Sequence, residues 1–472
     1  MAETMENSPR EKCGIFGVYG LEDAASTLYN GLFSLQHRGQ EGAGIVVSDG
    51  QNIRSSKGCG LVSEVFSSRT IKQLKGNIGI GHVRYSTTGD SCIENVQPII
   101  VQCIDGTWAV AHNGNLVNAD SLRQMYEESG SIFQTTTDSE VLLHILADPI
   151  YRHNQHRIAR ALAQLRGAFA FLLMRPSCVI AARDPWGYRP LSIGKCGNAW
   201  FFASETCALK QTGAQYIRDL KPGEMVIVND SGLHSEMFVD KQQTNLSQCL
   251  FEMIYFARPD STVFGHNVHN VRSHYGCQLA REHYVEADIV IPVPDSGNSA
   301  ALGYSRESGI PLDYGFIRNH YVGRTFIMPN SNQRKQSLDM KLSVLPDVVN
   351  GKRIIVVDDS IVRGNTARQR IHSLRKAGAK EIHLRIASPP TRFPCFYGID
   401  FATREELIAA GCDIDEVRRF IGADTLGYLS IEGVLSAFKN RNDYCIECFN
   451  GKRNVAGTQK RSKSKVECTC TI

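Results

Sequence analysis

The stretch IIVVDDSIVRGNTARQ, residues 354–369, ends a run of four β-branched residues on two adjacent carboxylates, Asp358 and Asp359. A buried strand in an α/β sheet delivers such residues at its C-terminal end, where these sheets bind ligands. A loop of mostly small residues follows. Thr366 reads as a helix start and Gln369, three residues on, as the partner of a capping box. The loop N–H groups ahead of that helix are suited to a phosphate. The competing reading is a solvated acidic turn. A second chemical feature lies at the other end of the chain. Cys13 stands before GIFGVYG and behind twelve polar residues, MAETMENSPREK. A thiol needs a base to act as a nucleophile at neutral pH. The nearest base is the residue's own α-amine, ordinarily of pKa ~7.7–8.0, and a peptide nitrogen cannot serve. A nucleophilic Cys13 therefore predicts that residues 1–12 are a propeptide cut after Lys12. The competing reading is an ordinary buried cysteine at the start of a strand.

The elements that must position these groups fall into two rhythms. The chain has 472 residues, 42% hydrophobic and 21% charged, enough apolar content for two or three cores. Residues 13–243 carry short strand-like runs: GIVVSDG, IGIGHVRYSTTG, WAVAHNGNL, AFAFLLM and SCVIAARDPWG. Two helical stretches, DSEVLLHILA from 138 and HRIARALAQL from 156, lie among them, and LKPGEMVIVND, 220–230, reads as a closing hairpin. That pattern predicts a layered α+β domain. KQQTNLSQ, 241–248, reads as a linker. Residues 244–450 change to buried parallel strands alternating with helices, at ADIVIPVPDSG, KRIIVVDDSIVRG and EIHLRIASPP, as in an α/β fold. Residues 451–472 read as a polar, basic tail. A net charge of +4 gives no concentrated basic face for nucleic acid. No run approaches the ~18 apolar residues of a membrane span, and residues 1–12 lack the apolar core of a secretory signal. A cytoplasmic protein is expected. Its fifteen cysteines then read as thiols, a catalytic group or a metal centre rather than disulfides.

CGIFG, LQHRGQEGAGI, GHVRYSTTG, AHNGNL and TTTDSE, in this order over about residues 13–230, resemble the class II, N-terminal-nucleophile glutamine amidotransferases. The resemblance implies an N-terminal nucleophile hydrolase sandwich in which Cys13 attacks the glutamine amide. It implies that Asn113 and the N–H of Gly114 form the oxyanion hole, and that Arg84 and Asp138 hold the substrate's carboxylate and ammonium groups. Thr87 and Arg38 are nearby family positions. The residue types suit these tasks: an amide and a glycine N–H are donors for an oxyanion, and arginine matches a carboxylate as a fork. Singly, each has a plainer reading: Arg84 on a surface strand, Asn113–Gly114 as a hairpin turn, Asp138 as a helix cap.

VVDDSIVRGNT resembles the phosphoribosyl pyrophosphate (PRPP) motif of type I phosphoribosyltransferases. The match implies that Asp358 and Asp359 hold the ribose hydroxyls, directly or through Mg²⁺. Ser360 belongs to the same site, and Arg363, Gly364, Asn365 and Thr366 would cradle the 5′-phosphate. VPDSG, 293–297, resembles the pyrophosphate loop, with Ser296 at a Mg²⁺-associated position. A sparse Ser/Asp/Asp set suits Mg²⁺, which keeps waters and phosphate oxygens. NHYVGRTFIMPNSNQRKQSLDMKL, 319–342, resembles the loop that closes over PRPP. It carries Arg324, Arg334, Lys335 and Lys341 against Asp339. Its plainer reading is a solvated loop.

A glutaminase joined to a PRPP domain resembles the amidophosphoribosyltransferase family over about residues 13–450. The family's reaction takes glutamine, PRPP and water to 5-phosphoribosylamine, glutamate and pyrophosphate, the entry step of purine synthesis, with ammonia passed internally. It implies a homotetramer and feedback inhibition by purine nucleotides. A regulator that senses PRPP, or a glutaminase serving another acceptor, is the alternative. QCLFEMIYFARPDS, PCFYGID and YCIECF resemble the ligand segments of a subgroup that has a propeptide and a [4Fe–4S] cluster. By that match the ligands are Cys249, Cys395, Cys445 and Cys448. Spacing alone does not link them, and a four-cysteine zinc site or four separate thiols remain rival readings. Cys277 and Cys470 are alternative ligands, and Cys468 and Cys470 form a further close pair.

Overall fold

The structure is a computed structural model that describes residues 13–85, 92–151, 154, 156–240, 244, 246–319, 342–399 and 403–452. Residues 1–12, read above as a propeptide, Thr87, Arg324 with the rest of the basic loop 320–341, and the tail from 453 with Cys468 and Cys470 lie outside the described residues.

Residues 14–237 build two antiparallel sheets. One has seven strands, with Gly14–Tyr19 between Ile78–Arg84 and Ala199–Ala203. The other has six, with Gly106–Leu116 and Gly167–Arg175 paired near its centre. The sheets face each other across one apolar layer: Ile15, Val46 and Ile80 meet Ala111, Leu172 and Ala181. Helix Ala24–Ser34 packs on the outer face of the first sheet. Helices Glu140–Ala147 and Arg157–Ala163 pack on the outer face of the second. Four layers explain why these antiparallel strands read as continuous apolar runs: both faces are covered. The hairpin read in residues 220–230 extends further: that run supplies its first strand, Glu224–Asn229, and the second, Gly232–Met237, follows it.

The second half is centred on a four-stranded parallel sheet, ordered Ile289–Pro292, Arg353–Asp358, Glu381–Ile386 and Thr425–Tyr428. Helices Val268–Glu282 and Asn298–Ser308 pack in one core, and Asn365–Lys376 and Ile414–Ile421 in another. Ile354 to Val357 are at most 1% exposed, as strands covered on both faces must be. Among the described residues no helix is long and apolar enough to cross a membrane.

A buried run of charges joins the halves. Arg38 donates to Glu205 at 2.5 Å and to Glu252 at 2.7 and 3.0 Å. Arg189 donates to Glu252 at 2.9 Å and to the Tyr397 carbonyl at 2.7 Å. All four side chains are fully buried. Glu205 also accepts from the Arg258 N–H and the Ser261 hydroxyl, both in YFARPDS. Among the described residues, removing the Glu252 charge leaves buried Arg189 with only the Tyr397 carbonyl and Arg38 with Glu205 as its one anionic partner, and an under-compensated buried charge typically costs several kcal/mol. Glu252→Gln, which strips the charge shared by Arg38 and Arg189, is expected to lower the unfolding free energy by about 3 kcal/mol. Denaturant unfolding of the two proteins checks this, and an unchanged midpoint would refute it.

Candidate active sites and the cysteine cluster

Cys13 sits immediately before the strand Gly14–Tyr19. Its carbonyl accepts from Arg38 Nε at 3.3 Å, and its thiol lies 3.5 Å from the Tyr85 carbonyl. Burial pushes the thiol up to about 11, against the pull of that hydrogen bond and of the Arg84 charge; Asp138 adds to the upward push. The electrostatic reach of Cys13 therefore takes in both Arg84 and Asp138. With the peptide bond to Lys12 intact, almost none of this thiol is ionised at neutral pH.

Asn113 lies inside the strand Gly106–Leu116, so it is not a turn residue. It is fully buried, and neither its amide nitrogen nor its amide oxygen has a hydrogen-bond partner among the described residues. Buried amides are almost always satisfied, and an unspent N–H donor is what an incoming oxyanion requires. Gly114 has φ +152°, and a Cβ there would lie 2.0 Å from the Ala168 carbonyl oxygen. The strand thus approaches its neighbour at a distance only glycine allows, which sets the backbone N–H beside Asn113. Gly114→Ala is expected to remove at least ~90% of glutamine hydrolysis by displacing this strand. A full-rate alanine variant in a steady-state glutaminase assay would refute that.

Asp138 does not cap the helix. The capping position before Glu140–Ala147 is Ser139, without a side-chain cap bond. Asp138 instead accepts from the Leu116 N–H at 2.8 Å and from the Ser139 hydroxyl at 3.1 Å, with His112 3.5 Å away. Burial alone would raise its carboxyl; His112 and these donors outweigh that and hold it below the ordinary range. It is a nearly buried anion, suited to an ammonium group. Arg84, 4% exposed, ends the strand next to Cys13's and is not a surface residue. Arg38 reaches the Cys13 carbonyl with Nε and spends the rest of its guanidinium in the charge network joining the halves.

The second site is an open cleft of about 450 Å³. Ser296, Asp358, Asp359, Ser360, Gly364 and Thr366 line it, with Tyr255 and Arg370. The described structure thus brings the pyrophosphate-like loop and the paired acids to one place. Asp358 Oδ1 accepts from the Asp359 N–H at 3.0 Å and Oδ2 from Arg370 at 2.7 Å. Burial, opposed by Arg370 and reinforced by Asp359, pushes the Asp358 carboxyl up. Two adjacent carboxylates with a serine facing them are a hard-oxygen donor set that fits Mg²⁺. The helix begins at Asn365, not Thr366, and no capping box forms. Gly364, at φ +79°, turns the chain in the left-handed region and takes the capping position itself. Arg363 is ion-paired with Glu406 and does not line the cleft, and neither does Asn365.

The four cysteines of the third group converge although the sequence scatters them. Gln248–Cys249 and Tyr444–Cys445 pair as parallel strands, with Cys249 opposite Cys445. Cys448 follows on the next turn, and its carbonyl accepts from the Arg392 and Phe393 N–H groups. Cys395 Sγ accepts from the Tyr397 N–H at 3.4 Å. Cys445 and Cys448 each feel the charge of Cys249 and Cys395, and Arg189 lies close to the latter two. Tyr188 and Tyr397 stack beside them with ring centres 4.3 Å apart. Four thiols beside a buried cation form a soft, dry donor set that fits an anionic iron–sulfur centre. They are not drawn around one point: among the described residues no three His, Cys, Asp or Glu side chains form a single-ion cage. Cys277 stands apart, its thiol donating to the Gly303 carbonyl at 3.3 Å.

Glu205, Glu252, Arg189, Tyr255 and Arg370 were not singled out by sequence. Tyr255, Arg258 and Ser261 all lie in YFARPDS, so that segment runs from the second cleft to the charges beneath Cys13. Comparison with known proteins agrees with this two-site arrangement. A family model described as a glutamine amidotransferase domain matches residues 82–211. The amidophosphoribosyltransferase of Bacillus subtilis is 51% identical over 448 residues, 94% of each chain. That of Methanocaldococcus jannaschii is 47% identical over 93% of this chain and 97% of its own. The solved structure of the B. subtilis glutamine PRPP amidotransferase complexed with ADP and GMP is 50% identical. It superposes with a TM-score of 0.89, covering 94% of this chain and 97% of that one. A solved structure of the allosteric regulatory enzyme of purine biosynthesis gives 0.90 at 50% identity, over 95% and 98%. The chain, with its glutaminase-type sandwich and its parallel-sheet half, belongs to the amidophosphoribosyltransferase family.

Proposed function

We propose that this protein transfers the amide nitrogen of glutamine to PRPP, giving 5-phosphoribosylamine, glutamate and pyrophosphate. The observation that carries the reading is Cys13 set within the electrostatic reach of Arg84 and Asp138, with a buried Asn113 amide that has no partner among the described residues, on the same chain as an open cleft lined by paired acids. In the glutaminase half, residues 13–243, Arg84 and Asp138 hold the two charged ends of glutamine. The freed α-amine of Cys13 takes the thiol proton. The thiolate adds to the side-chain carbonyl, Asn113 and the Gly114 N–H receive the oxyanion, and ammonia leaves. Water then releases glutamate from the thioester. In the half of residues 244–450, Asp358 and Asp359 accept hydrogen bonds from the ribose hydroxyls, and the N–H groups from Gly364 to Thr366 face the 5′-phosphate. Ser296, Asp358 and Asp359 would hold Mg²⁺, which when bound neutralises charge on the departing pyrophosphate. Ammonia attacks C1 as pyrophosphate leaves. YFARPDS, which lines the second cleft and bonds Glu205 of the charge network beneath Cys13, supports internal transfer and coupled timing.

Glutamate release is the direct test. PRPP is expected to stimulate it several-fold through that shared segment, and unstimulated hydrolysis would exclude coupling of the two sites. We further read the chain as a cytoplasmic homotetramer inhibited by purine nucleotides. The B. subtilis relative's complex with ADP and GMP supports the nucleotide part.

Cys249, Cys395, Cys445 and Cys448 would hold a [4Fe–4S] cluster that ties the C-terminal segment to both halves. Its support is their convergence beside Arg189. Anaerobically purified protein is expected to carry about four irons per chain with visible absorbance, and Cys445→Ser to lose that iron. A colourless, zinc-loaded protein would replace the cluster by a zinc site.

A further inference from the structure

PRPP is anionic at both ends, yet the described lining of its proposed cleft contains one positively charged side chain, Arg370. Arg363, the arginine that the motif itself offers, is engaged with Glu406. Arg370 lies one turn beyond Thr366 on the helix Asn365–Lys376, so the two share a face. Helical side chains lean toward the N-terminus, which carries the Arg370 guanidinium back toward the loop of residues 363–366. There Nη1 donates to Asp358 Oδ2 at 2.7 Å. Nε is buried and has no hydrogen-bond partner among the described residues. A guanidinium presents its donors in a fixed fork. With one edge pinned by Asp358, a donor remains unspent between the ribose-binding acids and the helix N-terminus.

We propose that Arg370 is a further PRPP-binding residue, holding Asp358 with Nη1 and donating from Nε to the 5′-phosphate. This rests on the reading of the cleft as a PRPP site. The arrangement links recognition of the sugar hydroxyls to recognition of the 5′-phosphate through one rigid group. It assigns the contact to the ribose 5-phosphate part of the substrate rather than to the pyrophosphate.

The test uses the full-length processed enzyme with ammonium as nitrogen donor. Arg370→Leu is expected to raise the KM for PRPP about tenfold or more, as loss of a charged hydrogen bond does. It should weaken inhibition by ribose 5-phosphate by a similar factor and leave inhibition by pyrophosphate unchanged. Arg370→Lys, which keeps the charge without the fork, should fall between the two. A KM and both inhibition constants equal to wild type would overturn the proposal. Equal weakening of both inhibitors would also overturn it, because Arg370 would then only hold the cleft together. Where the leucine variant fails to fold, the lysine variant alone decides by the same split between inhibitors. Asp359→Asn serves as the control for the site. If it weakens PRPP binding and the Arg370 variants do not, Arg370 is misassigned. If PRPP binding survives Asp359→Asn unchanged, the reading of the cleft itself is wrong.

Discussion

With Cys13 replaced by alanine, the chain is expected to make phosphoribosylamine from ammonium and PRPP at the wild-type rate and essentially none from glutamine. Removing a nucleophile typically costs up to ~10⁶-fold. Nothing else at the Asn113 pocket replaces the thiol, since an oxyanion hole stabilises charge but supplies no attacking atom. The cleft around Asp358 and Asp359 lies in the other half and keeps every side chain it needs. The pH dependence of the parent enzyme carries the second part of this expectation. The α-amine accepts the thiol proton only when neutral, so kcat/KM for glutamine should rise with pH and level off above ~8, the amine's ordinary range. In the unprocessed chain that base is a peptide nitrogen and the thiol titrates near 11. Its glutaminase activity should be near zero at pH 7 and still rising at pH 9. Equal glutaminase rates for processed and unprocessed protein would remove the amine from the mechanism. Loss of both the ammonium- and glutamine-dependent reactions in a well-folded Cys13→Ala protein would refute the division of labour between the halves.

The parts of this molecule that were legible in its sequence are those carried by contiguous residues. IIVVDD is a buried strand followed by acids whatever surrounds it, and the structure ends the strand at Asp358. The cysteine set became legible only through its likeness to a known subgroup, because a parallel pairing of Gln248–Cys249 with Tyr444–Cys445 joins residues nearly two hundred apart. Local rules failed where a residue had a distant use. Thr366 satisfies a capping pattern, but Gly364 reaches a left-handed conformation that moves the helix start one residue earlier. Asp138 precedes a helix, yet the Leu116 N–H, twenty-two residues away, claims its carboxylate. Glu205 and Glu252 look like ordinary acids in sequence. Their importance comes from Arg38 and Arg189, buried against them across the junction of the halves. Arg370 reads as one of several basic residues on an amphipathic helix until its position against Asp358 is known.

The second large effect belongs to those paired acids. Asp358→Asn combined with Asp359→Asn is expected to cut phosphoribosylamine synthesis by about 10⁴-fold, from glutamine and from ammonium alike. The figure follows from losing two charged contacts of up to about 3 kcal/mol each. Both side chains are buried at the end of the strand Arg353–Asp358, 4% and 6% exposed, so solvent cannot replace either contact. The substitution is nearly isosteric, and at position 358 the amide oxygen still accepts from either the Asp359 N–H or Arg370, giving up one of the two contacts. The loss should therefore appear in function with little change in folding. Glutamine hydrolysis without PRPP should persist, since Cys13, Asn113 and Asp138 are untouched, while its stimulation by PRPP should vanish. That last readout distinguishes a substrate site from a structural one. A double variant that still responds to PRPP would show that the acids only brace the turn before the helix. One that binds PRPP normally yet fails to react would assign them to the chemical step rather than to binding.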